Sequence, residues 1–146
     1  MALFSNVRKI LTGCLLAVAA PALVWGQGNY AAQGSQYNIA GALAGDQVYP
    51  SVSIKTTGGY LVWQDNYTDG AGLGISARKL DSSLSGTLSP FRVNENGAND
   101  QERAAVSMLN AGGAVFVWQG GKQSFQHIYA RVLSAGGTWA TGDLQV

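Results

Sequence analysis

One passage of this chain is written twice. Asp46-Gln47, Val52-Ser53, Gly58-Gly59, Trp63-Gln64 and Ile75-x-Ala77-Arg78 return as Asp100-Gln101, Val106-Ser107, Gly112-Gly113, Trp118-Gln119 and Ile128-x-Ala130-Arg131. The spacing is 54 residues from Asp46 to Asp100, 55 at the Trp-Gln pair and 53 at Ile-x-Ala-Arg. Slips of this kind belong in turns, where an added or lost residue leaves the phase of the flanking apolar stretches intact. Self-similarity at such a period marks a stacked or radial repeat architecture, and so constrains the fold before any single residue is weighed.

Each copy reads as four strands. Tyr49 to Lys55 alternates, with Pro50, Val52 and Ile54 on one side, which is strand periodicity. Thr56-Thr57-Gly58-Gly59 predicts a turn, and Tyr60 to Trp63 is a continuous apolar run suited to a strand covered on both faces. A polar loop, Asp65 to Gly74, leads to a third strand over Ile75–Leu80 and a fourth over Phe91–Asn94. The second copy repeats the order at Ala104–Leu109, Ala114–Trp118, Ile128–Leu133 and Leu144–Val146. Tyr37-Asn38-Ile39 matches Phe91-Arg92-Val93 without a gap, which predicts a lone lead strand over 36–40 ahead of repeat one (46–95) and repeat two (100–146). The fold class expected is all-β: two four-stranded antiparallel units of β-propeller type plus a leading orphan strand that would complete the last blade of a ring.

The N-terminus carries an address. Arg8 and Lys9 precede an apolar run from Ile10 to Val24, and Val24-Trp25-Gly26 offers a cleavage site with Gln27 as the mature start, so residues 1–26 read as a secretory signal peptide and 27–146 as the repeat region. Pro21 and the short run argue against a retained membrane span. Leu11-Thr12-Gly13-Cys14 resembles a lipoprotein box, but most of the apolar stretch follows Cys14 where it should precede it. The localisation expected is secreted, extracellular or periplasmic. Beyond residue 26 there is no cysteine, hence no disulfide or thiolate metal site in the mature chain. Without Arg8 and Lys9 the 9 basic residues fall to 7 against 8 acidic ones, a net charge of −1 with no basic stripe, which argues against nucleic acid.

Gly-Asp-Gln-x-x-Pro-Ser-Val at 45–52, Gly-Gly-Tyr-Leu-Val-Trp-Gln-Asp at 58–65, Asp-Gly-x-Gly-x-Gly-Ile-x-Ala-Arg at 69–78 and Phe-Arg-Val-Asn-Glu at 91–95 resemble the repeats of large secreted bacterial β-propeller-like proteins. The resemblance spans Tyr37 to Val146 and implies architecture more than activity. The second copy departs from it with Ala104 in place of Pro50 and with a loop that lacks acidic residues. A propeller closes with about four to eight blades. Two units therefore imply either an N-terminal fragment of a longer protein or a self-associating chain.

The candidate site residues each carry two readings. Trp63 and Trp118, followed by Gln64 and Gln119, form either an aromatic platform with amide partners for a sugar or packing between neighbouring sheets. Asp65, Asn66 and Asp69 supply hard oxygen ligands suited to Ca²⁺, or an ordinary polar turn, since no Glu closes the loop. Arg78 and Arg131 are expected to pair with a repeated acid such as Asp46 or Asp100. Ser134 to Trp139 is too short, and lacks the Asp, for the Asp-box turn of sialidase-like propellers. His127 stands alone, and no nucleophile, zinc or phosphate-loop motif is present, so no catalytic residue is named. The function expected is extracellular recognition or scaffolding, with carbohydrate or another extracellular protein as partner and no cofactor beyond Ca²⁺. The competing expectations are a glycan hydrolase with its carboxylates in further blades, and a structural protein that self-assembles at the surface.

Overall fold

The structure is a computed structural model and describes residues 35, 36, 38–86 and 88–146. Residues 1–26, expected from the sequence to be a signal peptide and including Cys14, lie outside the described residues. Eight strands follow one another: β1 (Gln47–Lys55), β2 (Gly58–Asp65), β3 (Gly74–Leu80), β4 (Phe91–Arg92), β5 (Asp100–Met108), β6 (Ala114–Gly121), β7 (His127–Leu133) and β8 (Leu144–Gln145). They form two four-stranded antiparallel sheets, ordered β1-β2-β3-β4 and β5-β6-β7-β8, and the described residues contain no helix. Every strand expected from the repeat is present. Asn38 to Gly41, within the expected lead strand, is a turn instead. The Asn38 side chain accepts from the Ala40 amide, and Gly41 donates back to the Asn38 carbonyl with φ +83°, the local bonding by which Asn diverts a chain from extended structure. Tyr37 lies outside the described residues.

The two slips in repeat spacing fall in loops. Ile54 pairs with Gly59 and Met108 with Ala114, so the second hairpin is one residue longer. Asp65 pairs with Gly74 and Gly120 with His127, so the later loop is two residues shorter in the second repeat. Between these loops the registers coincide: Trp63 opposes Ser76 as Trp118 opposes Tyr129, and Ala77 opposes Phe91 as Ala130 opposes Leu144. Gly58 and Gly113 occupy matched positions at positive φ, +114° and +76°, and a side chain at either would run into the carbonyl of Leu80 or of Leu133. Only glycine fits there on both counts.

β1 and β5 carry the same irregularity. Register breaks between Val48 and Ser51 and between Glu102 and Ala105, with Tyr49 at φ 51° and Arg103 at φ 54°. A bulge leaves an extra residue on one strand and bends it. The two bulges meet: the Arg103 guanidinium lies 5.6 Å from the Tyr49 ring centroid, a cation–π contact.

Period-2 alternation gives each sheet two apolar faces. One carries Leu61 and Trp63 in the first repeat, Phe116 and Trp118 in the second. The other carries Val62, Ile75, Ala77 and Val93, with Val117, Ile128, Ala130 and Val146 as counterparts. The core is the second face of the first sheet packed on the tryptophan face of the second. Phe116 sits at its centre, edge-on to Tyr60 at 5.8 Å and to Phe91 at 6.4 Å, geometry favoured by ring quadrupoles. A smaller cluster of Leu61, Trp63 and Leu80 lies on the far side, packed against Ile39, Ala40 and Leu43.

Candidate functional site

The same loop clamp opens each repeat. Gln47 donates to the carbonyls of Ala44 and Gly45 at 3.0 and 2.7 Å, and Gln101 donates to those of Ala98 and Asn99 at 2.9 and 3.0 Å. The clamp brings the loop before β1 or β5 against the start of the sheet, where it walls a cleft beside the tryptophan of β2 or β6. In the first repeat that cleft measures about 320 Å³ and is lined by Trp63, Asp65, Ser76, Thr68, Leu43 and Pro90 among others. In the second it shrinks to about 90 Å³, lined by matched residues that include Gln101, Trp118 and Tyr129.

Two paired differences account for the change. Tyr129 stacks on Trp118 with ring centroids 6.1 Å apart and planes 19° from parallel, whereas its counterpart Ser76 brings no ring against Trp63. Asp65 stands where the second repeat has Gly120. A Cβ at Gly120 would lie 3.3 Å from the Tyr129 ring and 3.4 Å from Trp118 Nε1, so tyrosine leaves no room for a carboxylate and serine does. The second repeat is filled with an aromatic pair; the first is hollow, with a carboxylate and two hydroxyls in its lining.

The polar groups around the hollow are incompletely satisfied. Asp65 is 2% exposed; its Oδ1 accepts from the amides of Tyr67 and Thr68 at 3.0 and 2.6 Å, while Oδ2 is buried without a partner. Trp63 is also 2% exposed, and its Nε1 is buried without a partner. The Ser76 hydroxyl donates to Thr68 Oγ1 at 3.0 Å. Burial opposes the charge on Asp65, but the hydroxyls of Ser76 and Thr68 and the two amides outweigh it and hold the carboxyl below its ordinary range. Neither hydroxyl completes a hydrogen bond to Oδ2. A buried polar group left unpaired costs about 1–3 kcal/mol, so this hollow is held at some expense to stability.

The other sequence candidates have separate destinations. Gln64 is buried, and its Oε1 accepts the Arg103 amide at 3.1 Å, satisfying the bulge of the neighbouring sheet. Gln119 donates to Gln126, which donates to Glu102 at 2.6 Å. Neither amide faces the cleft. Asn66 accepts from the Asp46 amide at 2.9 Å, and Asp69 accepts from Ala71 and from Asn94 at 3.1 and 3.2 Å. Asp65, Asn66 and Asp69 thus serve three different local networks, and no group of three or more His, Cys, Asp and Glu able to hold a metal stands among the described residues.

The arginines grip backbone, which corrects the expected pairing with Asp46 or Asp100. Arg78 Nη1 donates to the carbonyls of Ala40 and Ile39 at 2.8 and 3.4 Å, and Arg131 Nη1 to that of Val93 at 2.8 Å. Ile39 and Val93 are matched positions, so each arginine ties its sheet to the end of the segment before it. Arg131 also lies 3.8 Å from Glu95, 4.0 Å from Asp143 and over the Trp139 ring at 4.2 Å. Asp46 instead accepts from Asn66, and Asp100 from the Leu73 amide.

No family model matches the chain, and neither does any curated protein or solved structure.

Proposed function

We propose that this chain is a pair of propeller-type repeat modules, exported from the cell, that stacks with further modules of the same kind and serves extracellular recognition and scaffolding without chemistry of its own. The reading of export rests on residues 1–26 of the sequence. The reading of stacking rests on one observation above the rest. Val62, Ile75, Ala77 and Val93 are each 0% exposed beneath the second sheet. Of their counterparts on the second sheet, Ile128 is 51% exposed and Val117 36%, while Ala130 is half-buried. An apolar face that is core in one copy and surface in the next is suited to a further tryptophan face.

The junction already present supports the same reading in part: Arg131 grips the Val93 carbonyl across it as Arg78 grips the segment before the first sheet, and Gln64 satisfies the Arg103 bulge amide of the second sheet. Lys55 adds a bond to the Leu109 carbonyl at 2.9 Å, and Ser53 Oγ accepts from the Met108 amide at 3.0 Å.

Light scattering on the purified chain tests the proposal. The expected result is a discrete mass equal to a small whole number of chains, reduced to one chain by Ile128→Asp. A monodisperse monomer that is stable with Ile128 in place would overturn it.

A further inference from the structure

We infer that the hollow beside Trp63 is a binding site for a neutral polyhydroxylated ligand, a sugar ring, engaged through hydrogen bonds to the tryptophan edge and to Asp65. This names a ligand class for the recognition role proposed above, but it stands on different residues. Trp63 and Asp65 are two apart on β2 and so share a face, with Ser76 directly opposite Trp63 on β3. Neither indole face is open as a platform; what remains unpaired is the Nε1 donor of Trp63 and the Oδ2 acceptor of Asp65.

The two atoms have opposite demands, and these demands select the ligand. An ammonium group satisfies the carboxylate but cannot accept the indole proton. A carboxylate or phosphate accepts that proton but meets the charge of Asp65, which the surrounding hydroxyls and amides favour. A pair of neighbouring hydroxyls does both, since each donates and accepts. The volume, about 320 Å³, falls at the small end of ligand pockets, roughly 300–1,000 Å³, and far exceeds the roughly 30 Å³ share of one water. Leu43 and Pro90 supply apolar wall for the C–H surface of a ring. Both unpaired atoms are without accessible surface, so a hydroxyl reaches them only when neighbouring atoms shift.

The second repeat supplies the internal control. The matched cleft is lined by Tyr129 where the first has Ser76, and Gly120 stands at the register position of Asp65, so it has neither the volume nor the acceptor. Binding is therefore confined to one repeat of the two.

The test follows the indole N–H signals of ¹⁵N-labelled full chain during titration with glucose, galactose and N-acetylglucosamine, with methylammonium chloride and sodium acetate as ionic controls. The expected result is a saturable shift of the Trp63 signal with at least one sugar, an unmoved Trp118 signal and no response to either ion. Asp65→Asn should weaken that affinity roughly tenfold or more, the loss of one charge-assisted hydrogen bond, and Ser76→Tyr should abolish it. No shift with any sugar means that the hollow holds water only and overturns the inference. So does an unchanged affinity in Asp65→Asn, a variant that keeps the shape of the side chain whether or not Ser76→Tyr folds. A response to methylammonium or acetate alone overturns it in favour of an ion site. Light scattering on the same samples reads the stacking proposal separately, so either can fail without the other.

Discussion

In the first repeat Trp63 faces Ser76 and lies two residues from Asp65; in the second Trp118 faces Tyr129 and lies two residues from Gly120. The backbones around these residues agree in register, in bulge position and in the glutamine clamp. The two copies therefore separate what the repeat needs as scaffold from what one copy has been given in addition. The scaffold is the strand pairing, the clamp, the arginine grip and one packed face. The addition is a hollow with unpaired polar atoms, present on one side only. A second contrast runs the other way: the first repeat has its valine-rich face buried, and the second has the same face partly exposed.

The largest effect should come from breaking that second contrast. Ile75 and Ile128 are matched residues, 0% and 51% exposed. Ile75→Asp places an unpaired carboxylate in the core and should cost about 4 kcal/mol or more. Ile128→Asp should change the stability of the single chain by no more than about 0.5 kcal/mol, while lowering the mass seen by light scattering. Urea unfolding of both variants checks this. Equal costs would mean that the two faces are equivalently covered.

Exchanging the cleft residues comes next. Tyr129→Ser removes a ring stacked on Trp118 and should cost about 3 kcal/mol, as aromatic truncations in cores do. Ser76→Tyr adds a ring at a buried position beside a cleft of about 320 Å³ and should cost no more than about 1–3 kcal/mol. A large loss in Ser76→Tyr, measured by thermal melting, would show that the hollow is needed for folding and not only for binding.

Gln64 and Gln119 give a smaller contrast. Gln64→Leu leaves the Arg103 amide unpaired inside the junction and should cost about 1–3 kcal/mol. Gln119→Leu, at a half-buried position whose partner Gln126 keeps its bond to Glu102, should cost less than about 1 kcal/mol. Amide exchange at Arg103 provides the direct readout: fast in Gln64→Leu, unchanged in Gln119→Leu.

The sequence carried the strands because the repeat is periodic and the apolar alternation is local. Val62 and Ile75 could be placed in strands from their neighbours alone, and the slips at the hairpin and the later loop mark where register is free to change. The bulges left no trace, since Tyr49 and Arg103 adopt positive φ without being glycine and share no residue type. The arginine partners were misjudged for a related reason: a conspicuous acid two strands away competes on paper with a carbonyl that every residue has. The lead strand over 36–40 was read from a match to Phe91-Arg92-Val93, but Asn38 bonds its own backbone and turns the chain. The cleft did have a signal, in the position facing tryptophan, where the copies hold serine and tyrosine. The alignment of Ile-x-Ala-Arg already sets Ser76 against Tyr129, but that this position faces tryptophan follows only from the strand pairing, because the spacing from tryptophan differs between the copies.

The smallest expected effect is one of pH, because a single carboxylate carries it. Asp65 has no counterpart in the second repeat. Burial works against its charge, yet the hydroxyls of Ser76 and Thr68 and the amides of Thr68 and Tyr67 hold its pKa below the ordinary value of 3.8. The folded chain therefore binds this proton less readily than the unfolded chain. Its contribution to stability is fully present above pH 3.8 and is lost as pH falls from there through the lower folded value. Asp81 is also held low, first by the Ser83 hydroxyl, but it is common to the parent and to Asp65→Asn and cancels in their difference. The melting-temperature gap between those two chains should be constant from pH 7 to pH 5 and should narrow below pH 4. A gap that widens in acid would mean that burial outweighs the hydrogen bonds, leaving Asp65 protonated more readily folded than unfolded and depriving the hollow of its charged acceptor.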